Sequence, residues 1–425
     1  MLFRLLYNTI LVPLWPVYRL LSLFVPAVRR FFLSRRQGRR ELLQFAAQNR
    51  GNPEPPIWLH GSSVGEIDQA LGVAREIRRR KPKIPIVLTA FSLSVRLRPI
   101  DGVDLFTYIP FDFPWAWGQI LKTLRPRAFV TMTWDVFPNL LHRCLALGVP
   151  AFLSSASLAP NNRRLRWPWR SLVRPLYSGL AGIGVVNDEN APLFQSLTAH
   201  PEHVSVTGDS RYDTILYRLA TARPDPEDQK RLQASGRPCL VLASTYAGDD
   251  AELLPGLPAL LARFPEWKVW IFPHKIDAGR IEQLGKSLEH HAIGYRRLSE
   301  AGDGSERVLV VDCLGLLAFA YAHTDIAYVG GAFHHRVHNT AEPAALGVPI
   351  VTGPAIDWSG IALELESLGS LYRSRSGEQA LNQIARWMAD ATERRAAGER
   401  GRHHLEKSAG ASARFYETFL QGLAG

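Results

Sequence analysis

Residues 57–70 read Ile57-Trp-Leu-His-Gly-Ser-Ser-Val-Gly-Glu-Ile-Asp-Gln-Ala70. A short apolar run, Ile57 to His60, meets a Gly/Ser turn and then a pattern with Ile67, Leu71, Ala74 and Ile77 at helical spacing. The stretch therefore predicts a strand, a sharp turn and a helix. The same alternation recurs along the chain. Strands are expected at PIWLHG, IPIVLTAFS, DLFTYIP, AFVTMTW, VPAFLSS and GIGVVN, then again at PCLVLAST, WKVWIFP, ERVLVVD, DIAYVGGAF and VPIVTGP. Continuous apolar strands separated by amphipathic helices predict parallel sheets covered on both faces. The pattern pauses between Asp213 and Arg237, where ARPDPEDQKR is polar and Pro-containing, so a domain boundary is expected there. The tail from about Gly377 to Gly425 reads as helical.

A length of 425 residues suggests two α/β domains of about 200 residues each. Such a pair forms a cleft at the carboxyl ends of the strands, where open α/β sheets bind ligands. The net charge of +11 favours an anionic partner: nucleic acid, a phosphorylated ligand or a membrane surface. Cys144, Cys239 and Cys313 are widely spaced in apolar surroundings and fit neither a zinc nor a disulfide pattern. No G-x-G-x-x-G follows a strand, there is no Walker A sequence, and no D-x-D metal pair stands out. No cofactor and no metal are expected.

The first 40 positions hold eight Arg, no Lys and no acid. Between Leu5 and Phe32 the segment is mostly apolar, interrupted by Arg19, Pro13, Pro16 and Pro26. An Ala-x-Ala cleavage site is absent, which speaks against a removed signal peptide. Residues 1–40 are expected to be a membrane anchor, spanning or lying flat, with RRFFLSRRQGRR held at anionic headgroups on the cytoplasmic side.

Two chemistries compete at the opening stretch. Gly61-Ser62-Ser63-Val64-Gly65 spells the G-x-S-x-G elbow of serine hydrolases. The elbow would follow the first strand, no HGGG-type oxyanion segment precedes it, and a partner Asp and His have candidates only by abundance. Ser63 and Glu66 also spell a capping box, in which each side chain bonds the other's backbone N–H. A carboxylate in a first helical turn stays ionised, which suits a general base as well. Position alone leaves the cap and the base both open.

Further along, Tyr328-Val-Gly-Gly-Ala-Phe-His-His-Arg-Val-His-Asn-Thr-Ala-Glu-Pro-Ala-Ala-Leu-Gly-Val-Pro-Ile-Val-Thr-Gly-Pro354 resembles the Gly-Gly, His-Asn and Glu-Pro-Ala-Ala signature of the bacterial 3-deoxy-D-manno-octulosonic acid (Kdo) transferases. HGSSVGE, YIPFDFP with TLRP, WDVFPN, SSASLAPNNRR, VTGDSRYD, LASTYAGDDAELL, FPHKID and VDCLGLLAFAYAHTDIAYVGG resemble the family's other blocks in order, from about residue 55 to 360. The resemblance implies a GT-B fold of two Rossmann-like domains, 41–218 for the acceptor and 219–425 for the nucleotide sugar. It implies an inverting enzyme that moves Kdo from CMP-Kdo to a lipid A precursor at the cytoplasmic face of the inner membrane, and no nucleic-acid partner.

By the same resemblance Glu66 is the general base. Ser244, Thr245, His274, Lys275, Gly330, Gly331, His338, Asn339 and Glu342 hold the donor, with Gly330 and Gly331 offering amides to the phosphate and Glu342 accepting the ribose hydroxyls. Ser62, Ser63, Asp135, Arg163, Arg164 and Arg166 serve the acceptor, with Trp167 and Trp169 beside them. Local readings stand next to these roles: Ser244-Thr245 as a helix cap, Glu342 as ordinary helix-start chemistry, His338-Asn339 as a turn, and the Arg cluster as a solvated surface. The sequence departs from the family at Pro273-His274, where Arg-His is usual, at Thr133-Trp-Asp-Val-Phe-Pro-Asn139, where one acid is shortened and another lost, and at Gly315-Leu316-Leu317, where a Glu is lost. A GT-B enzyme with another nucleotide sugar and a non-catalytic lipid-binding relative are the alternatives.

Overall fold

The computed structural model describes residues 2–221, 226, 227, 232, 236, 238–300 and 306–423. The chain divides into two compact units, Met1–Thr214 with Ser408–Gly425, and Ile215–Lys407.

In the first unit, β1 (Ile57–Gly61), β2 (Ile86–Ala90), β3 (Leu105–Tyr108), β4 (Ala128–Met132), β5 (Ala151–Ala156), β6 (Gly182–Val185) and β7 (Val204–Val206) form a parallel sheet in the order β3-β2-β1-β4-β5-β6-β7. β1, β2, β4, β5 and β6 are buried at every position, as strands covered on both faces must be. Helices α1 (Leu2–Phe24), α2 (Pro26–Gln48), α3 (Val64–Arg80), α4 (Trp117–Leu124), α5 (Pro138–Ala146), α6 (Trp169–Tyr177), α7 (Asn190–Leu197) and α8 (Arg211–Thr221) belong to or leave this unit. The second unit carries β8 (Cys239–Thr245), β9 (Lys268–Pro273), β10 (Arg296–Arg297), β11 (Val308–Val310), β12 (Ile326–Val329), β13 (Ile350–Thr352) and β14 (Leu371–Arg373), in the order β10-β11-β9-β8-β12-β13-β14. Each sheet starts at its centre, winds one way, then returns beside its first strand and winds the other way. That reversal opens a crevice beyond the ends of β1 and β4, and another beyond β8 and β12.

The expected strands are all present, while β7, β10 and β14 had no apolar run to betray them. They are two or three residues long and lie at or near sheet edges.

The N-terminal expectation needs correction. Residues 1–40 are not a separable anchor, because α2 runs on to Gln48 and builds the first unit's core with Phe32, Leu42, Phe45 and Ala46. Arg35, assigned by sequence to the headgroups, is 1% exposed. Its guanidinium donates to the carbonyls of Ala90 (3.3 Å), Ile109 (3.2 Å) and Phe91, and lies over the rings of Phe31 and Phe91 at 4.2 and 4.5 Å. At Gly38 α2 passes so near β3 that a Cβ would run into the Tyr108 carbonyl. α1 packs Phe3, Leu11, Val12 and Trp15 on the core, and its Asn8 exchanges side-chain hydrogen bonds with Asn139. Its other side exposes Leu5, Ile10, Leu23 and Phe24. Among the described residues no single helix is long and apolar enough to cross a membrane; α1 and α2 pass that test only together, bent by 119°.

The first division, between Thr214 and Ile215, falls at the start of the pause expected between Asp213 and Arg237. The first unit ends within α8, and the polar stretch 222–231 lies outside the described residues except at 226 and 227. Ser408–Gly425 groups with the first unit, not the second. There the Asp213 carboxylate accepts the N–H groups of Gly410 (2.6 Å) and Ser412 (2.7 Å), and Phe415, Tyr416 and Leu420 are buried.

Candidate functional site

The turn after β1 carries the first group. Ser63 sits in extended backbone (φ −120°, ψ 172°) and caps α3: its Oγ accepts the Glu66 N–H at 3.4 Å, while its own N–H donates to Glu66 Oε2 at 2.8 Å. The capping box is thus real. The serine elbow is not: Ser63 lacks the strained turn an elbow requires, and its hydroxyl serves the helix. Burial raises the Glu66 pKa first, Asp135 raises it further, and the Ser62 and Ser63 N–H groups pull against both. Glu66 is therefore at once a cap and a half-buried carboxylate facing a second negative charge.

Asp135 follows β4 across the crevice from β1. Burial raises its pKa too, against a hydrogen bond from Ser62 and the positive charge of Arg164. The Arg164 guanidinium lies over the Trp134 ring at 4.4 Å. Thr133, between β4 and Asp135, has a left-handed backbone (φ 60°), and its Oγ1 donates to Gln69 at 2.9 Å. Behind Ser62 stands His60, wholly buried, with Nε2 3.2 Å from Ser62 Oγ and Nδ1 2.9 Å from Thr89 Oγ1. Burial, with Arg35 nearby, pushes the His60 pKa down to about 3, so the ring is neutral. Ser62, Ser63, Glu66, Asp135 and Arg164 are thereby brought together at one rim. Arg163 and Arg166 flank Arg164 in the same short turn and are exposed.

In the second unit the corresponding turn follows β8. Ser244 has φ 54°, and the β8–β9 register shifts between Ala243 and Thr245, so a bulge marks the strand end. Asp249, fully buried, accepts the N–H groups of Tyr246 (2.8 Å) and Gly331 (2.9 Å) and the Tyr328 hydroxyl (2.7 Å). This corrects the phosphate role expected for the glycine amides. Gly331 N–H is committed to Asp249, and Gly330 N–H to the Ala243 carbonyl at 2.8 Å. The glycines are needed for close approach instead. A Cβ on Gly330 would stand 2.8 Å from the Ser244 carbonyl, and Gly331, at φ 95°, lies against Arg336 and His338.

An aromatic stack covers this turn. Tyr246 lies against His274 and His334, both at 4.7 Å, and His338 lies 4.3 Å from His274. Burial pushes the His338 pKa down to about 4, helped by His274 and Arg336, and its Nε2 is buried without a partner. The neutral His338 imidazole can donate or accept a hydrogen bond without a fixed charge. Thr245 is buried and contacts Arg280, which is paired to Asp250 at 2.6 Å and has a buried, unpartnered Nη1. Burial lifts Asp250 to about 6 against that ion pair. Lys275 is exposed next to His274. Asn339 Oδ1 accepts the Ala341 N–H at 3.0 Å, a local turn bond. Glu342, 8% exposed, is ion-paired to Arg218 at 2.9 Å.

Tyr246, His334 and Arg280 were missed in the sequence. The run Ser244-Thr245-Tyr246 places Tyr246 at the strand end, so position pointed to it; His334 and Arg280 had no comparable signal. Among the described residues no group of three or more His, Cys, Asp or Glu is gathered to hold a metal ion.

The family described as 3-Deoxy-D-manno-octulosonic-acid transferase (kdotransferase) matches residues 34–214. The 3-deoxy-D-manno-octulosonic acid transferase of Bordetella pertussis is 29% identical over 385 residues, 84% of this chain and 85% of its own. That of Haemophilus influenzae is 25% identical over 305 residues, 71% of each chain. In fold, the chain is similar to a glycosyltransferase from Rickettsia africae (TM-score 0.55, 10% identity, covering 87% of this chain and 98% of that one). It is also similar to UDP-GlcNAc 2-epimerase from Neisseria meningitidis (TM-score 0.59, 11% identity, covering 86% and 100%). These neighbours bear out the two-domain GT-B architecture. By sequence over most of its length, the chain is similar to the 3-deoxy-D-manno-octulosonic acid transferases, at 25–29% identity to these two relatives.

Proposed function

We propose that the chain is an inverting transferase that moves Kdo from CMP-Kdo to a lipid A precursor at the cytoplasmic face of the inner membrane. The observation that carries the reading is the Glu66 carboxylate at the β1 rim, its pKa raised by burial and by Asp135. A carboxylate lifted in this way is a stronger base than a solvated one and accepts a proton more readily near neutral pH. Glu66 takes the proton of the acceptor hydroxyl, the hydroxyl oxygen attacks the anomeric carbon of Kdo, and the anomeric C–O bond breaks with its electron pair leaving on CMP. Attack opposite the leaving group inverts the anomeric centre. One Glu66 oxygen bonds the Ser63 N–H, which holds the carboxylate in place through the transfer.

The second unit holds the donor. His338 Nε2 and Lys275 serve the sugar carboxylate and phosphate, Ser244 and Asn339 add hydrogen bonds, and Glu342 takes the ribose hydroxyls once Arg218 yields. The phosphate draws on these side chains and not on the Gly330 and Gly331 amides. Arg163, Arg164 and Arg166 meet the acceptor phosphates. The outward apolar side of α1 lies in the bilayer interface, with Arg29, Arg30, Arg36, Arg39 and Arg40 of α2 near anionic headgroups.

Purified full-length protein, CMP-Kdo and a tetra-acylated lipid A precursor test this by mass analysis of the lipid. A mass increase of Kdo is expected; full turnover by a folded Glu66→Ala variant removes the base. Thermal protection by CMP but not UDP separates this donor from another nucleotide sugar.

A further inference from the structure

A groove of about 280 Å³ opens on the first unit between α1, α5 and α6, lined by Phe3, Arg4, Pro138, Leu141, His142, Leu145, Pro175 and Leu176. Pro138, Leu141, His142 and Leu145 are the i, i+3, i+4 and i+7 positions of α5, one stripe of that helix. Along this stripe Pro138 and Leu141 turn into the core, whereas His142 and Leu145 are exposed, Leu145 at 54%, so an apolar side chain stands at the rim. The opposite wall is α1, held in place by the paired Asn8 and Asn139 amides at 3.0 and 2.7 Å. Around Phe3 the helix exposes Leu2, Leu5 and Leu6 at 60%, 62% and 44%. The groove is thus continuous with the apolar surface assigned above to the bilayer, and the cation Arg4 lines it.

Its floor and wall both lead to the Glu66 rim. α5 begins three residues after Asp135, and α6 ends at Tyr177, whose hydroxyl donates to the Trp134 carbonyl at 3.3 Å. Arg164 covers the Trp134 ring from the segment that precedes α6. A molecule anchored in the groove would therefore be tethered to the loop that carries Asp135. The volume lies just below the ~300–1,000 Å³ of pockets that enclose drug-sized ligands, so it suits one slender chain and not a whole multi-chain lipid.

We infer that this groove holds a single acyl chain of the lipid acceptor, with Arg4 beside the anionic headgroup, and so contributes to selection of an acylated over a bare sugar phosphate. The inference rests on the proposed acceptor class, and its test keeps the two separable. Binding of 11-(dansylamino)undecanoic acid to the full chain reads the groove without any transfer. Leu145→Trp, at the exposed rim, and Leu176→Trp fill it. Both should weaken probe binding at least tenfold, and the tetra-acylated acceptor should displace the probe. In the transfer assay both should raise KM for the tetra-acylated acceptor about tenfold. Values of kcat, KM for CMP-Kdo and turnover of the deacylated disaccharide phosphate should stay within twofold. Thermal melts establish that each variant is folded; Leu145→Trp alone suffices if Leu176→Trp is not. Undiminished probe binding in the folded variants overturns the groove. So does an equal KM rise for the deacylated acceptor, or displacement of the probe by phosphatidylglycerol vesicles but not by the acceptor. Absence of Kdo transfer by the wild type, with probe binding intact and sensitive to Leu145→Trp, would instead overturn the proposed function and leave the acyl groove standing.

Discussion

At the scale of single residues, the cap that Glu66 forms and the base role proposed for it can be separated by substitution. Gln at the third helical position still completes a capping box, whereas Ala does not. Glu66→Gln should therefore lower kcat/KM by about 10²–10⁴-fold with a melting temperature close to wild type. Glu66→Ala should lose the same activity and about 0.5–2 kcal/mol of stability besides. A charge effect is testable next to it. Because Asp135 raises the Glu66 pKa, Asp135→Asn should move the acidic limb of the kcat/KM profile to lower pH; an unmoved limb would dissociate the two carboxylates. The cap was legible in Ser63-Val64-Gly65-Glu66, since capping is a local pattern, whereas the proposed base role came from the family resemblance. The neighbour of Glu66, Asp135, came from a family block, and nothing in the spacing of residues 66 and 135 says that they face each other. The two glycines show the converse failure. A Gly-Gly pair after a strand reads as a phosphate cradle, but the buried acceptor Asp249, distant in sequence, had already claimed the Gly331 amide.

Among elements, α2 was the one most misread. Phe32, Arg35, Gly38, Leu42 and Phe45 recur at intervals of three or four residues and form its buried stripe. Eight Arg in 40 positions concealed that period, because one of the buried positions is itself an Arg. Gly38→Ala should cost well over 1 kcal/mol in an unfolding measurement, since the methyl meets backbone and not a mobile side chain. Asp112 ties three helices together: its carboxylate accepts from Trp117 Nε1 (2.7 Å) on α4, from the Asn139 and Leu140 N–H groups of α5, and from Tyr7 of α1. Burial nevertheless lifts its pKa from 3.8 to about 7. A carboxyl raised in the folded state binds more protons there than in the unfolded chain, so its stabilisation is full below about pH 4 and is lost as pH rises through 7. Wild-type stability should fall across that window by up to about 4 kcal/mol relative to an Asp112→Asn variant, which lacks the slope. The long buried strands were legible because their apolar runs are continuous; β10, two residues of Arg, offered no such run.

For the whole molecule, the outward face of α1 makes membrane attachment measurable. Ile10, 65% exposed, can be replaced by Asp with little effect on folding. Ile10→Asp should reduce co-sedimentation with anionic vesicles several-fold, and raised salt should weaken what remains. Undiminished sedimentation of the variant would remove α1 from the interface. The architecture was legible from alternating strands and helices, but the tail's return to the first unit was not: helical pattern there does not reveal which sheet Phe415, Tyr416 and Leu420 cover.

That returning tail has a bearing on biosynthesis. The residues that seal the underside of the first sheet leave the ribosome only after every strand of the second unit has emerged. Until then the nascent chain displays α1 and an unsealed apolar sheet face, with Asp213 waiting for Gly410 and Ser412. A fragment ending at 214 would stay in that unfinished condition, whereas grafting 408–425 onto it by a short linker should restore a cooperative melt.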